Sequence, residues 1–227
     1  MSQDGLEEER AVLPEYGIEI GTEPLDRPAR NSVGGWPYFD DGQEWPRCFC
    51  GERMALFFQL DLPDDIKFFG GEHLSVFHCA HHNDASDPIT ADGRLVPRFW
   101  EAPQPPFPGS FWRVLLQRDP GIPEAEPEPA VRALPLTLRP SKDTYFKVGG
   151  TASWVQDPEY YRCACGSELA FVCQVPENWE FGVRTRAPVQ PYSIRDDAYL
   201  LFLGTEVYLL ACPKRCDPAA VFPVNQN

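Results

Sequence analysis

The sequence predicts a mainly β, internally duplicated protein: two similar β lobes about a pseudo-two-fold axis. Three observations carry this. Proline and glycine, 25 and 17 of the 227 residues, make up about 19 % of the chain against roughly 12 % in an average one. That many breakers disfavours helical bundles and favours short strands joined by turns. Short unbroken apolar runs read as strands buried on both sides. Finally, segments of the first half return in the second at fixed spacing.

Val33-Gly34-Gly35 returns as Val148-Gly149-Gly150, an offset of 115, and Cys48-Phe49-Cys50-Gly51 returns as Cys163-Ala164-Cys165-Gly166 at the same offset. Aligned without gaps, residues 33–60 and 148–175 are identical at ten of 28 positions, where chance gives about two. Residues 68–79 align with 201–212 at an offset of 133, so the second copy carries 18 extra residues, expected within 178–197. Two copies are too few for an open solenoid, which leaves two packed lobes as the natural arrangement.

Taken in order, residues 1–30 are expected to form an acidic N-terminal arm, loosely docked, because residues 1–26 hold eight acidic side chains and one arginine. Repeat 1 spans 31–120. Its run MALFFQLDL reads as a strand, residues 73–79 follow a glycine-containing turn and complete a hairpin, and FWRVLLQ is a further strand. Residues 97–140 contain 11 prolines in 44 positions. Proline cannot donate to a ladder, so this stretch is expected to be mostly extended loop, with 121–147 a linker. Repeat 2 spans 148–227, with ELAFVCQV and residues 206–212 as its hairpin.

The eight cysteines stand at 48, 50, 79, 163, 165, 173, 212 and 216. All but Cys173 fit a repeated plan: C-x-C-G, a strand, a hairpin, then a distal pair where the last strand ends. In copy two the distal pair is Cys212 and Cys216. In copy one it is Cys79 followed by histidines, and all four histidines of the chain (His73, His78, His81, His82) lie within ten residues. Zinc accepts either donor at one position of a tetrahedron. The expected sets are Cys48, Cys50, Cys79 and His82, and Cys163, Cys165, Cys212 and Cys216, for two zinc ions per chain. His81 is the alternative fourth ligand; His82 is preferred because it stands three residues past Cys79, against the four that separate Cys212 and Cys216. Gly51 and Gly166 suit a knuckle that turns through positive φ and aims N–H groups at the thiolates. The C-x-C spacing is tighter than the common C-x2–4-C, and its recurrence is what gives it weight. Disulfides or free structural cysteines are the alternatives. The first residues lack the apolar stretch of a signal peptide, and intracellular thiols stay reduced. Cys173 aligns with Phe58 and is expected in the core.

Function classes narrow in the same way. The net charge of −14 disfavours non-specific binding to nucleic acid and suits a basic protein partner, or simply solubility. No apolar run approaches the ~18 residues of a membrane span, so the expected location is cytoplasmic. No H-E-x-x-H, G-x-S-x-G, phosphate loop or paired-carboxylate motif is present in the sequence. The chain is therefore expected to be non-enzymatic. A metalloenzyme would have to use the first cluster, with an open position on the metal.

Val33-Gly34-Gly35-Trp36-Pro37, Pro46-x-Cys48-x-Cys50-Gly51, Phe57-Phe58-Gln59-Leu60 and Leu74-x-Val76-Phe77-x-Cys79 together resemble the YwqG-like family of bacteria and its eukaryotic relatives, the programmed cell death protein 2 family. Leu203-Gly204-Thr205-Glu206-Val207-Tyr208 with Cys212-x3-Cys216 is similar to the latter's C-terminal end, and residues 110–117 resemble the strand after its first cysteine-rich hairpin. The resemblance covers roughly residues 31–217. It implies a mostly β, duplicated fold and no known catalytic activity. The eukaryotic relatives are associated with escorting a small-subunit ribosomal protein, and some bacterial ones with neutralising toxins. The expected function is thus a zinc-stabilised protein-binding module, a chaperone-like escort of a basic client; an immunity protein is the alternative. The chain departs from the family in its tight C-x-C pair and in the histidine standing for a thiolate.

Overall fold

Ten strands build one antiparallel sheet: β1 (Glu15–Ile20), β2 (Ser32–Val33), β3 (Ala55–Asp61), β4 (His73–His78), β5 (Trp112–Gln117), β6 (Leu134–Pro140), β7 (Lys147–Gly149), β8 (Ala170–Val175), β9 (Glu206–Ala211) and β10 (Val221–Gln226). The computed structural model describes residues 13–142 and 144–227. Among the described residues, no helix is long and apolar enough to cross a membrane.

The strand order is β10-β9-β8-β7-β1-β6-β2-β3-β4-β5. Strands numbered five apart occupy equivalent places counted from the two edges. The residues agree with the sequence offsets: β2 and β3 lie 115 residues before β7 and β8, and β4 lies 133 before β9. β3 and β8 each carry a bulge at the same aligned place, between Leu56 and Phe58 and between Phe171 and Cys173. The expected hairpins are β3–β4 and β8–β9.

One exchange breaks the simple picture of two lobes in series. β1 lies beside β7, and β6 lies beside β2, so the leading strand of each half sits in the other half. β1 and β6 then pair with each other at the centre, Ile18 opposite Leu138. The repeated Val-Gly-Gly is the sequence mark of this exchange. Gly34 has φ +52° and a Cβ there would lie 2.9 Å from the carbonyl oxygen of Val131, just before β6; Gly149 has φ +72° and a Cβ would lie 2.5 Å from that of Pro14, just before β1. Only glycine both adopts this backbone and lets the entering chain pass so closely.

Two expectations are corrected here. Residues 15–20, placed in a loosely docked arm, are a central strand; residues 1–12 of that arm lie outside the described residues. Residues 134–140, placed in a linker, are the other central strand. Ile18 and Leu136 are buried, and these apolar positions outweigh the acidic and proline-rich composition around them. Pro135 and Pro140 stand near the ends of β6, where a missing N–H is tolerated, and Pro135 still accepts from the Gly21 N–H at 2.9 Å.

The sheet curls until its edges meet. The Leu116 N–H donates to the Pro218 carbonyl at 2.8 Å, and the rings of Trp112 and Phe222 stand 6.4 Å apart across the seam. Inside, β4, β9 and most of β3, β8 and β10 are buried. A recurring glutamine ties the crossing loops to this core. Gln59 accepts from the Tyr38 N–H at 3.1 Å and donates to the Trp36 carbonyl at 2.7 Å. Gln174 accepts from the Ser153 N–H at 2.9 Å. Each amide satisfies backbone groups that no ladder reaches.

Candidate metal centres

Two knuckles, built alike, rise at one end of β3 and of β8. In the first, the Cys48 N–H donates to the Glu52 carbonyl at 2.9 Å, the Gly51 N–H to Cys48 at 2.9 Å and the Met54 N–H to Pro46 at 2.9 Å. In the second, Cys163 donates to Ser167, Gly166 to Cys163 and Leu169 to Tyr161, each at 2.8 Å. Gly51 and Gly166 turn at φ +90° and +87°. With no Cβ to oppose that φ, the chain reverses within a few residues and brings both cysteines of each C-x-C to one cluster, the first buried and the second exposed.

The distal residues come from the partner strands. Cys79 directly follows β4, and its N–H donates to the Phe111 carbonyl at 2.8 Å; Cys212 directly follows β9, and its N–H donates to the Ala220 carbonyl at 3.0 Å. Past Cys79 the chain turns and brings His82 back, its ring packed on Phe49 at 4.4 Å and Phe107 at 5.2 Å. Past Cys212 it turns through Arg215, φ +51°, to Cys216.

The donor atoms of Cys48, Cys50, Cys79 and His82 lie within 4.8 Å of one another, as do those of Cys163, Cys165, Cys212 and Cys216. His82 Nδ1 is 3.5 Å from both Cys48 Sγ and Cys79 Sγ. Cys163 and Cys216 sulfurs are 3.4 Å apart, and Cys165 and Cys212 3.5 Å. A disulfide needs about 2.05 Å, whereas the edge of a tetrahedron built on a Zn–S length of about 2.3 Å is roughly 3.7 Å. Each group could therefore hold one metal ion. Four donors around one centre complete a tetrahedron and leave no open position on it.

The electrostatics suit such a role. Hydrogen bonding from Cys48 draws the Cys79 thiol down to about 5, helped by His82 and the His81 N–H. The Ser167 N–H draws Cys165 down to about 6. The neighbours Cys48 and Cys216 are pushed up, Cys48 by sharing its proton with Cys79 and Cys216 by burial. Each cluster thus already favours a thiolate, the form that binds metal.

The other residues singled out by the sequence go elsewhere. His81 points away from the cluster and lines a neighbouring cavity. His78 is buried among the edges of Phe57, Phe111 and Phe202. His73 bonds to Asp61 at 2.8 Å, and Asp61 to Arg30 at 2.6 Å. Burial works against the Asp61 carboxylate, yet these two partners hold it at about 2. Cys173 is fully buried in β8. Sequence reasoning did not single out Glu128, whose side chain sits 1 % exposed. Its carboxylate accepts from the N–H groups of Ala130, Val131 and Leu56. A glutamate between prolines in an acidic stretch gives no signal of burial.

The chain matches no protein-family model and no curated protein.

Proposed function

We propose that each cluster holds a structural zinc ion and that the protein is a non-enzymatic, cytoplasmic binding module, a chaperone-like escort of a basic client protein. The observation that carries this reading is the pair of four-donor sets at the ends of core strands. Thiolate and imidazole donors at tetrahedral spacing suit zinc, and closed sites of this kind contribute folding energy rather than chemistry. The order of strands, equivalent from either edge, supports descent from a duplicated unit. The net charge of −14 supports a basic client, which such a surface attracts and shields.

The test is association kinetics with the client captured from the native host. Attraction between exposed charges is screened beyond about 8 Å at physiological salt, so the on-rate should fall as salt rises. Removing residues 1–10, which hold four acidic side chains and one arginine, should lower it further. An acidic client, or an on-rate indifferent to salt, would refute the escort reading and leave an apolar contact in its place.

A further inference from the structure

Beside the first knuckle lies a cavity of about 640 Å³ whose charge runs against that of the chain. Arg47, Arg53 and Arg186 stand exposed at its rim, facing one exposed carboxylate, Glu52. Among the described residues none of the three arginines forms an ion pair. Arg53 is held 5.2 Å over the ring of Trp45, and Arg47 donates to the Gly51 carbonyl at 2.8 Å. The remaining carboxylate, Glu128, is sealed below by its three N–H donors and has Arg184 nearby. Trp45, Met54 and Pro188 give the cavity apolar walls. Its volume is that of a ligand site.

The rim continues into the segment that only the second half carries. There Val189, Tyr192 and Ile194 are 63 %, 78 % and 66 % exposed. The segment is nevertheless pinned. Buried Gln190 donates to the Leu200 carbonyl at 3.0 Å and accepts from the Leu200 N–H at 2.8 Å, and buried Asn83 donates to the Pro191 carbonyl at 3.2 Å. Tyr192 is held at φ +62°, a conformation that costs a non-glycine residue energy and persists where surroundings impose it, often at binding sites. Large apolar side chains offered on a fixed loop lose little freedom on contact.

We infer that this cavity and loop form a docking site for an acidic segment of a partner protein, its carboxylates on Arg47, Arg53 and Arg186 and its apolar residues on Val189, Tyr192 and Ile194. Guanidinium groups match carboxylates in paired hydrogen bonds. The overall charge of −14 repels a long polyanion such as nucleic acid, whereas a short acidic segment on an otherwise neutral or basic protein meets only the local field. The inference takes from the preceding reading only that the partner is a protein.

The test is selection of a random peptide library displayed on phage against the full chain, followed by fluorescence anisotropy with the selected peptides. Enriched peptides should combine Asp or Glu with aromatic or aliphatic residues. Arg186→Glu and Arg47→Glu should each weaken binding by about tenfold or more, the loss of a charged hydrogen bond. Tyr192→Ala should weaken it by roughly threefold. Arg139→Glu, the same charge change on the exposed face of β6, should leave affinity within about twofold. All four positions are exposed, and unchanged melting would exclude a folding defect. Selection of basic peptides would overturn this site while favouring the basic-client reading. Failure to enrich, or equal loss with Arg139→Glu, would overturn it as well. Zinc content reports separately on the metal sites.

Discussion

Ile18 of β1 lies opposite Leu138 of β6, and the two strands that meet there have each crossed into the other half of the sheet. A fragment of residues 121–227 therefore leaves β7 without its neighbour β1. Even with zinc supplied, it should show no cooperative thermal transition by circular dichroism, and co-expression with residues 1–120 should restore one. A fragment that melts cooperatively alone would mean that the exchange is dispensable.

The exchange also fixes what Gly149 tolerates. Its φ is +72°, and a Cβ would press on Ile66 and on the Pro14 carbonyl. Gly149→Ala should destabilise by about 2–4 kcal/mol, the backbone strain plus the clash. Gly93, at φ +71° with open space around it, isolates the strain alone, and Gly93→Ala should cost about 1–2 kcal/mol. Urea denaturation of both variants measures the difference.

How far the sequence carries can be judged from these same positions. The repeat offsets, 115 for the C-x-C-G pairs and 133 for the distal segments, locate the hairpins β3–β4 and β8–β9 and both donor sets, because a tight turn and a metal each demand particular residues at particular places; β2 and β7, two and three residues long, pass as turns. β1 and β6 carry no such demand. Their residues are acidic or proline-rich, and nothing local distinguishes a strand that completes a distant sheet from an arm or a linker. Strand pairing is a property of the partner, so exchange leaves its trace only in the glycines that make room for it. Glu128 is hidden for a related reason: its burial depends on Leu56, 72 residues away.

Loss of a cluster ligand should differ from loss of a core cysteine. Cys212→Ser removes a donor at the end of β9 and should release metal and unfold the second half, because binding energy in such sites is folding energy. Cys173→Ala, in a fully buried strand position, should keep its metal and cost on the order of 1–2 kcal/mol. Zinc release monitored with a chromogenic chelator separates the two. Equal release would show that the donor sets are wrongly drawn.

Glu128 gives the protein a pH dependence of definite sign. Burial raises its carboxyl to about 7 despite three N–H donors. A folded-state value above the unfolded one favours folding below the unfolded value, near 4.3, and that contribution is lost as pH rises through about 7. Between pH 6 and 8.5 the wild type should lose on the order of 1 kcal/mol relative to Glu128→Gln, which cannot titrate. Denaturation midpoints of both proteins across that range check it; parallel curves would show that Glu128 is already ionised at pH 6.

Each of the two closed four-donor sets should hold one zinc ion. The most direct measurement is elemental analysis of the full chain, purified without chelator, alongside Cys163→Ser. The wild type should carry about two zinc ions per chain, one for each tetrahedral donor set, and the variant about one. A wild-type protein that folds cooperatively with zinc near zero would show that neither donor set holds a structural zinc.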